Sequence, residues 1–388
     1  MTPAARTQAA IELLDQIVIA ARDGGAAADT LVQRFFAARR YAGSKDRRAV
    51  RALVYEAIRR CGERPASGRA AMLALAADQP ELAATFDGSP YGPPAIGARE
   101  EGAALGLAPG WLIERFAASG LDEGEVGALL DRAPLDLRVN RLKASRDAVA
   151  GELEGAQPLA FAPDALRLPP DSHLSPDPRW EVQDAGSQLV TTAAGATPGM
   201  QVIDLCAGGG GKTLALAALM ANDGAILACD IDRGRLSRLP PRAALAGVTI
   251  ATTQLLDPDH EAEALQGVQA DAVLIDAPCS GTGTWRRNPE ARWRLTPARL
   301  DRLADMQARL LGLGAMLVRP GGALTYVVCS LLDDEGPTQV GAFLARHPGW
   351  RADLLDLGAG RTHGPGVRMT PKHDATDGFF VARLIAPW

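Results

Sequence analysis

The chain has 388 residues, five cysteines, five histidines and a formal net charge of -5, long enough for two or three domains with sizeable cores. The cysteines (Cys61, Cys206, Cys229, Cys279, Cys329) are dispersed with no Cys-x-x-Cys pair, which argues against a structural zinc site or a disulfide scaffold. Without a signal-like start or an uninterrupted apolar run of about 18 residues, the expectation is a cytoplasmic monomer with reduced thiols, no metal and no membrane association.

The first region, 1–82, reads as a helical module. Ile11, Leu13, Leu14, Ile17 and Val18 form one apolar stripe, and Leu31, Val32, Phe35 and Phe36 another. A third helix is expected from Ser44 or Asp46 to Arg60, with Val50, Leu53, Val54, Ala57 and Ile58 inward and Arg47, Arg48, Arg51, Arg59 and Arg60 outward. Residues 34–69 hold eleven Arg or Lys against three Asp or Glu, a local basic patch on a mildly acidic chain. Such a patch can bind phosphates, although arginines on a helix also serve as a solvated face.

Residues 83–109 read as a linker, rich in Gly and Pro at Asp87-Gly88-Ser89-Pro90-Tyr91-Gly92-Pro93-Pro94. The stretch 110–179 then predicts short helices near 110–118 and 123–131, a strand at Leu137-Arg138-Val139-Asn140, a helix over 146–154 and Pro-rich loops over 163–179. Together these predict a small α+β module.

From 180 to 388 strands and helices alternate. Strands are expected at 201–205, 225–230, 248–252, 271–275, 323–328 and 379–385, and helices near 212–221, 233–245, 297–315 and 334–346. That rhythm predicts a mostly parallel, Rossmann-like α/β sheet covered on both faces, with ligands at the carboxyl ends of the strands. The first of these strands runs into Cys206-Ala207-Gly208-Gly209-Gly210-Gly211-Lys212-Thr213. The turn is not a P-loop, because position 206 is cysteine where the first glycine is required. Four glycines still let the backbone approach a ligand closely. Acids follow the successive strands: Asp204, Asp230, Asp257 and Asp276. Asp230 is placed to accept from ribose hydroxyls and Asp257 from an adenine amino group. Four acids suit an adenosyl ligand with a positive sulfonium better than a polyphosphate; singly, each is also a common turn or helix cap.

Two cysteines lie just past strand ends, in Asp276-Ala277-Pro278-Cys279-Ser280 and Val327-Val328-Cys329-Ser330. A thiolate that adds to C6 of a pyrimidine makes C5 nucleophilic, and a base must later remove the C5 proton so that the thiol can leave. Two thiols can divide those roles, with Asp276 on the edge of the base. Residue order alone does not say which one attacks. Beside Cys279, Trp285 or Trp293 can stack on a base or fill a core, and Arg286, Arg287, Arg292 and Arg294 can hold phosphates.

These stretches resemble the Nop2/Sun (RsmB-type) family of S-adenosylmethionine-dependent RNA cytosine-5 methyltransferases. The resemblance rests on Val182-Gln183-Asp184-Ala185-Gly186-Ser187-Gln188, the 204–213 turn, Asp230-Ile231-Asp232, Asp276 through Gly283, Cys329-Ser330 and Asp377-Gly378-Phe379-Phe380. It implies Cys329 as nucleophile and Cys279 as the thiol that assists product release. It also implies 206–212, Asp230, Asp257 and Asp276 as the S-adenosylmethionine set, with Lys212 and Asp276 facing the cytosine. The front of the chain resembles a shortened NusB-type RNA-binding module. Arg47, Arg48, Arg51, Arg138, Asn140, Arg286 and Arg287 form the expected RNA-contacting set, and ribosomal RNA or an assembling subunit the expected partner. Departures are Gly208-Gly209 where family members carry Ala-Pro, and Val328 in place of a threonine. The rival readings are an RNA-binding assembly scaffold with little turnover and C5 methylation of tRNA or DNA.

Overall fold

The computed structural model describes residues 1–170 and 172–388, which divide into two compact units. The first comprises Met1–Asp131 together with Thr284–Thr296, and the second Arg132–Gly283 with Pro297–Trp388. The chain therefore leaves the second unit once, for thirteen residues, directly after the Cys279 loop.

In the first unit, helices Pro3–Asp23, Ala28–Ala38, Ser44–Arg60 and Gly68–Ala76 pack around Leu13, Leu14, Ile17, Val50, Val54, Ile58, Met72 and Leu75. Their apolar stripes recur at helical spacing, so burial of one face holds each helix in place. The first helix is capped by Thr2, whose hydroxyl accepts the Ala5 N–H at 3.2 Å, and ends at Gly24 with φ +73°. The expected linker is irregular but pinned: Ala103 N–H donates to Ala70 O (2.8 Å) and Gly106 N–H to Arg60 O (3.0 Å). The two short helices that follow, Gly110–Ala118 and Glu123–Ala128, also belong to this unit rather than to the α+β module.

The returning segment 284–296 decides between the two readings of its tryptophans in favour of the core. Trp285 is fully buried, edge-on to Phe116 at 5.4 Å, and Trp293 joins the helical core. Neither ring is available to stack on a base. Arg292 is also fully buried, donating to Ile58 O (2.5 Å) and Cys61 O (2.9 Å), while Arg294 donates to Gly25 O and Ala26 O. Arg286 is 6% exposed. This basic run is used mainly inside the protein, and Arg286 drops out of the RNA-contacting set; Arg287 keeps partial exposure.

The second unit opens with a small antiparallel sheet made of β1 (Leu135–Val139), β2 (Gln157–Pro158), β3 (Ala165–Leu168) and β4 (Trp180–Val182), in the order β2-β3-β1-β4. Thus part of the expected 163–179 loop is a strand; Asp171 lies outside the described residues. Arg138 and Asn140, expected on RNA, are each 4% exposed. Arg138 donates to Gln183 Oε1 (2.6 Å) and pairs with Glu181 (2.8 Å), and Asn140 Nδ2 donates to Pro178 O and Ala246 O. Their polar atoms hold this unit together, which corrects their assignment to the RNA-contacting set.

The main sheet contains β5 (Gln201–Asp204), β6 (Ala225–Asp230), β7 (Ala251–Leu255), β8 (Ala270–Asp276), β9 (Val318–Val328), β10 (Arg351–Ala352), β11 (Arg361–His363), β12 (Gly366–Met369) and β13 (Phe379–Ile385). Its order is β11-β12-β13-β9-β8-β5-β6-β7, with β10 paired to β13. Strands β9, β8, β5, β6 and β7 are parallel, and the rest antiparallel. The central parallel strands β8 and β9 are covered on both faces, which explains their apolar runs Val273-Leu274-Ile275 and Tyr326-Val327-Val328, all fully buried, whereas the edge strand β7 is partly exposed. The strand order reverses between β5 and β8, and an open α/β sheet forms its ligand crevice at such a switch point. Where sequence predicted one helix over 233–245, Pro240 and Pro241 start a new one: Arg233–Leu236 is followed by Leu239–Ala246.

Candidate active site

The switch point gathers the strand-end acids. Asp204, at the end of β5, is fully buried and its Oδ2 accepts the Thr213 hydroxyl at 2.7 Å, while Oδ1 has no hydrogen-bond partner among the described residues. Burial pushes its carboxyl up to about 7. Asp230, at the end of β6, accepts the Gly208 N–H (2.7 Å) on one oxygen and the Asp232 N–H (2.8 Å) on the other. That contact binds the glycine turn to β6. The turn itself needs left-handed backbone, with φ +56° at Gly208 and +87° at Gly210, conformations that glycine adopts without strain. Helix Gly211–Leu219 begins immediately after it.

Lys212 reaches from the first turn of that helix to Asp276 at the end of β8, Nζ to Oδ2 2.7 Å. Burial alone would depress the Lys212 ammonium, but Asp276 and then Cys329 outweigh it and hold it above its ordinary value. Beyond Asp276, Cys279 Sγ and Cys329 Sγ lie 3.4 Å apart. The hydrogen bond to Cys329, together with burial, pushes the Cys279 thiol well above its ordinary value. Cys206 is pushed up by burial and by the neighbouring acids, and buried Cys229 to about 12, also by burial. Both suit inert thiols.

One cavity joins these groups, of about 410 Å³, within the size range of small-molecule sites. Leu205, Ile231, Leu256, Met306 and Leu310 give it apolar walls, Asp230, Asp232 and Asp276 carboxylates, and Cys279 and Cys329 its thiol end. This lining fits an adenosyl sulfonium: apolar walls for a ring, a strand-end carboxylate for ribose, and anionic groups for a cation. Of the expected cofactor set, Cys206, Asp230 and Asp276 line the cavity, and Gly208 and Lys212 are bonded to its wall. Asp257 is exposed, one residue past the lining Leu256, and is not part of that wall. Arg47, Arg48 and Arg51 are exposed on the third helix of the first unit.

Sequence reasoning missed Glu335, a fully buried carboxylate that receives hydrogen bonds from Ser280 and Ser330. In Asp333-Asp334-Glu335 it reads as one of three solvated acids, and no local pattern marks it out. It also missed Arg309 and Glu261, paired at 2.7 Å on the cavity's edge. Among the described residues there is no group of three or more side chains suited to hold a metal ion, and no helix long and apolar enough to cross a membrane.

Comparison with known proteins agrees with this geometry. Residues 193–385 match the family model described as 16S rRNA methyltransferase RsmB/F. Ribosomal RNA small subunit methyltransferase B from Salmonella arizonae and that from Citrobacter koseri are each 36% identical over 290 residues, covering 72% of this chain. The match spans 66% of those relatives' own length. Among solved structures, PH0851 superposes with a TM-score of 0.77 at 25% identity, over 99% of both chains. The structure of NSun6 from Pyrococcus horikoshii with SFG gives 0.63 over 71% of this chain and 98% of that one; at 19% identity it speaks to the fold alone. With its cavity, acids and paired thiols in one methyltransferase sheet, the chain belongs to the RsmB/Nop2-Sun family of S-adenosylmethionine-dependent RNA cytosine methyltransferases.

Proposed function

We propose that the chain methylates C5 of cytosine in RNA, with ribosomal RNA as substrate and S-adenosylmethionine as methyl donor. The observation that carries this reading is the thiol pair at 3.4 Å, opening on the same cavity as Asp230 and Asp276. When bound, the cofactor supplies an electrophilic methyl group on a positively charged sulfur. Asp230 would hold the ribose hydroxyls and the glycine turn the remainder, while Asp276 and Lys212 face the cytosine.

Cys329 then adds through sulfur to C6, and the electron pair of the C5=C6 bond becomes available at C5 for methylation. Cys279, once its own proton has passed to water, takes the C5 proton as a thiolate, the C5=C6 bond re-forms, and the Cys329–C6 bond breaks with its electrons returning to sulfur. The division of labour between the two thiols rests on the resemblance of Cys329 to the family's nucleophile and of Cys279 to its release cysteine. The Asp276–Lys212 pair is suited to stabilise charge that builds on the base during attack. For the RNA itself, Arg47, Arg48 and Arg51 offer an exposed basic face on the helical unit, and phosphate contacts of this kind position RNA without reading its sequence. Ribosomal RNA as the substrate rests on the family description and on the names of the relatives.

The test is transfer of label from methyl-labelled S-adenosylmethionine to undermodified bacterial ribosomal RNA, followed by nucleoside analysis. Label in 5-methylcytidine is expected. Cys329→Ala should abolish transfer with cofactor binding retained, and Cys279→Ala should accumulate a denaturant-stable protein–RNA adduct. Full activity of Cys329→Ala would overturn the assignment, and cofactor binding without transfer to any RNA would favour an assembly scaffold.

A further inference from the structure

Neither reactive cysteine is held by the sheet itself. The last paired residues of the two neighbouring strands are Asp276 and Val327, so Cys279 and Cys329 both lie beyond the ladder. Backbone bonds continue only sparsely, from Ala277 N–H to Val327 O and from Gly283 N–H to Cys329 O, both 2.9 Å. Something else must hold the sulfurs at 3.4 Å.

Each cysteine is followed by a serine, and both serines converge on one carboxylate. Ser280 donates its backbone N–H to Glu335 Oε1 (2.8 Å) and its hydroxyl to Oε2 (2.5 Å). Ser330 donates its hydroxyl to the same Oε2 at 2.5 Å. Gln307 Nε2 donates to Oε1 (3.0 Å) and to Pro278 O (2.9 Å), tying in the residue before Cys279. Two further ties join the loops: the Ser280 and Ser330 hydroxyl oxygens lie 3.1 Å apart, and the Thr282 hydroxyl, 3.1 Å from Ser330 Oγ, accepts the Leu331 N–H at 3.0 Å. Glu335 itself is fixed by the Tyr326 hydroxyl, which donates to its carbonyl at 2.7 Å. Its side chain is fully buried, and the donors it receives are amide and hydroxyl groups rather than a paired cation. Hydrogen bonds to an ionised carboxylate are short and directional, and they set geometry where a core of apolar side chains would allow sliding.

We propose that Glu335 is a positioning residue: its buried carboxylate ties the loop bearing Cys279 to the loop bearing Cys329 and fixes the separation of the two thiols. In the methyl-transfer reaction this makes one carboxylate responsible for the geometry of both attack and release. That second statement rests on the function proposed above; the first does not.

Two readouts on the full chain separate them. In the first, the protein is treated with diamide, which oxidises two thiols to a disulfide and takes up the two hydrogens, and the Cys279–Cys329 linkage is followed by peptide mass spectrometry. Glu335→Gln should slow this linkage by roughly tenfold or more, since an ångström of misplacement is worth up to about a hundredfold in rate. Ser280→Ala and Ser330→Ala, which leave the carboxylate in place, should each slow it less. Unchanged linkage rates in Glu335→Gln and in both serine variants overturn the positioning role, whether or not the chain methylates RNA. If Glu335→Gln does not fold, the serine variants decide the matter alone.

In the second, turnover and adduct are measured with labelled RNA. Ser280→Ala should raise the fraction of denaturant-stable adduct, because it loosens the release thiol. Ser330→Ala should lower turnover without adduct, because it loosens the attacking one. A parallel loss in both with no change in adduct would overturn the second statement, that Glu335 sets the geometry of attack and release. Slowed linkage in a protein whose wild type transfers no methyl group would instead sustain the positioning role and sink the assigned function.

Discussion

Replacing Asp276 by asparagine keeps the shape of the cavity wall but removes the partner of Lys212. The lysine side chain is 11% exposed and the aspartate 33%. Breaking a buried pair by deleting one partner costs about 3–5 kcal/mol, but water reaches the aspartate end, so about 2 kcal/mol is expected here. A unit of this size shifts by about 2–4 °C per kcal/mol, giving a fall in Tm of roughly 4–8 °C. The pH dependence is the sharper signature. In the wild type Lys212 is held above its ordinary value, so its contribution is complete below the unfolded lysine pKa of about 10.4 and is lost only as pH rises through the higher folded value. In Asp276→Asn the opposing effect of burial dominates and the folded value falls below the unfolded one. The cost of a lone buried ammonium is then full at neutral pH and is relieved as pH climbs through the depressed value. Scanning calorimetry of both proteins at pH 7 and 9.5 should therefore show a gap that narrows at the higher pH. A gap that is absent at pH 7, or that is equally wide at both, would refute the argument that this lysine depends on Asp276 for its charge.

Asp204 predicts the opposite slope. Its folded value of about 7 stands above the usual carboxylate range, so the stability it contributes is complete below about pH 4 and declines as pH rises through 7; Asp204→Asn, read by thermal melts between pH 5 and 8, should flatten that decline, and an unchanged slope would contradict it. On the helical unit, Arg47→Glu combined with Arg48→Glu and Arg51→Glu should leave cofactor affinity unchanged, weaken RNA binding by tenfold or more, and make the salt dependence shallower. Equal RNA affinity at low salt would remove this face from the proposed RNA contacts.

Much of the site was legible because a parallel sheet orders its functional groups along the chain. Every parallel strand ends at the same edge, so Asp204, Asp230, Asp276, Cys279 and Cys329 needed only their strands to be placed together. Those strands carry long apolar runs, and the third was misplaced by only three residues, 248–252 against Ala251–Leu255. Side chains whose partners are distant in sequence were not legible. Arg138 looks like a basic residue on an exposed strand until Glu181 and Gln183 fold back onto it. Glu335 looks like a solvated acid until Ser280, 55 residues earlier, donates to it. Asp257 carries the expected residue type at the expected strand end, but a side chain just past a strand end can leave the cavity wall, and only the fold decides which way it goes.

The segment 286–302 makes the same point in energetic terms. Six arginines against two acids suggest a phosphate grip, yet the cheapest partner for a guanidinium need not be a phosphate. The helix Ser44–Arg60 ends at Cys61 with its last carbonyls lacking intrahelical donors. Arg292 supplies them, donating to Ile58 O, Arg59 O and Cys61 O, and Trp293 Nε1 adds a bond to Cys61 O at 3.0 Å. A cation at a helix C-terminus is also favoured by the helix dipole. Burial lowers the Arg292 guanidinium to about 10, which leaves it charged at neutral pH. Arg292→Ala would strip donors from buried carbonyls and open a cavity beside Trp285 and Trp293. Each orphaned acceptor costs about 1–3 kcal/mol, so a loss of about 3 kcal/mol is expected, concentrated in the helical unit. Native-state hydrogen exchange should show it as faster exchange at the amides of residues 54–61, while amides of β5, β6 and β8 keep their protection. Arg292→Lys, with one compact ammonium in place of a planar fork, should recover only part of it. If exchange across 54–61 is unchanged in Arg292→Ala, the arginine is not what closes that helix, and its place among the candidate phosphate contacts would have to be reopened.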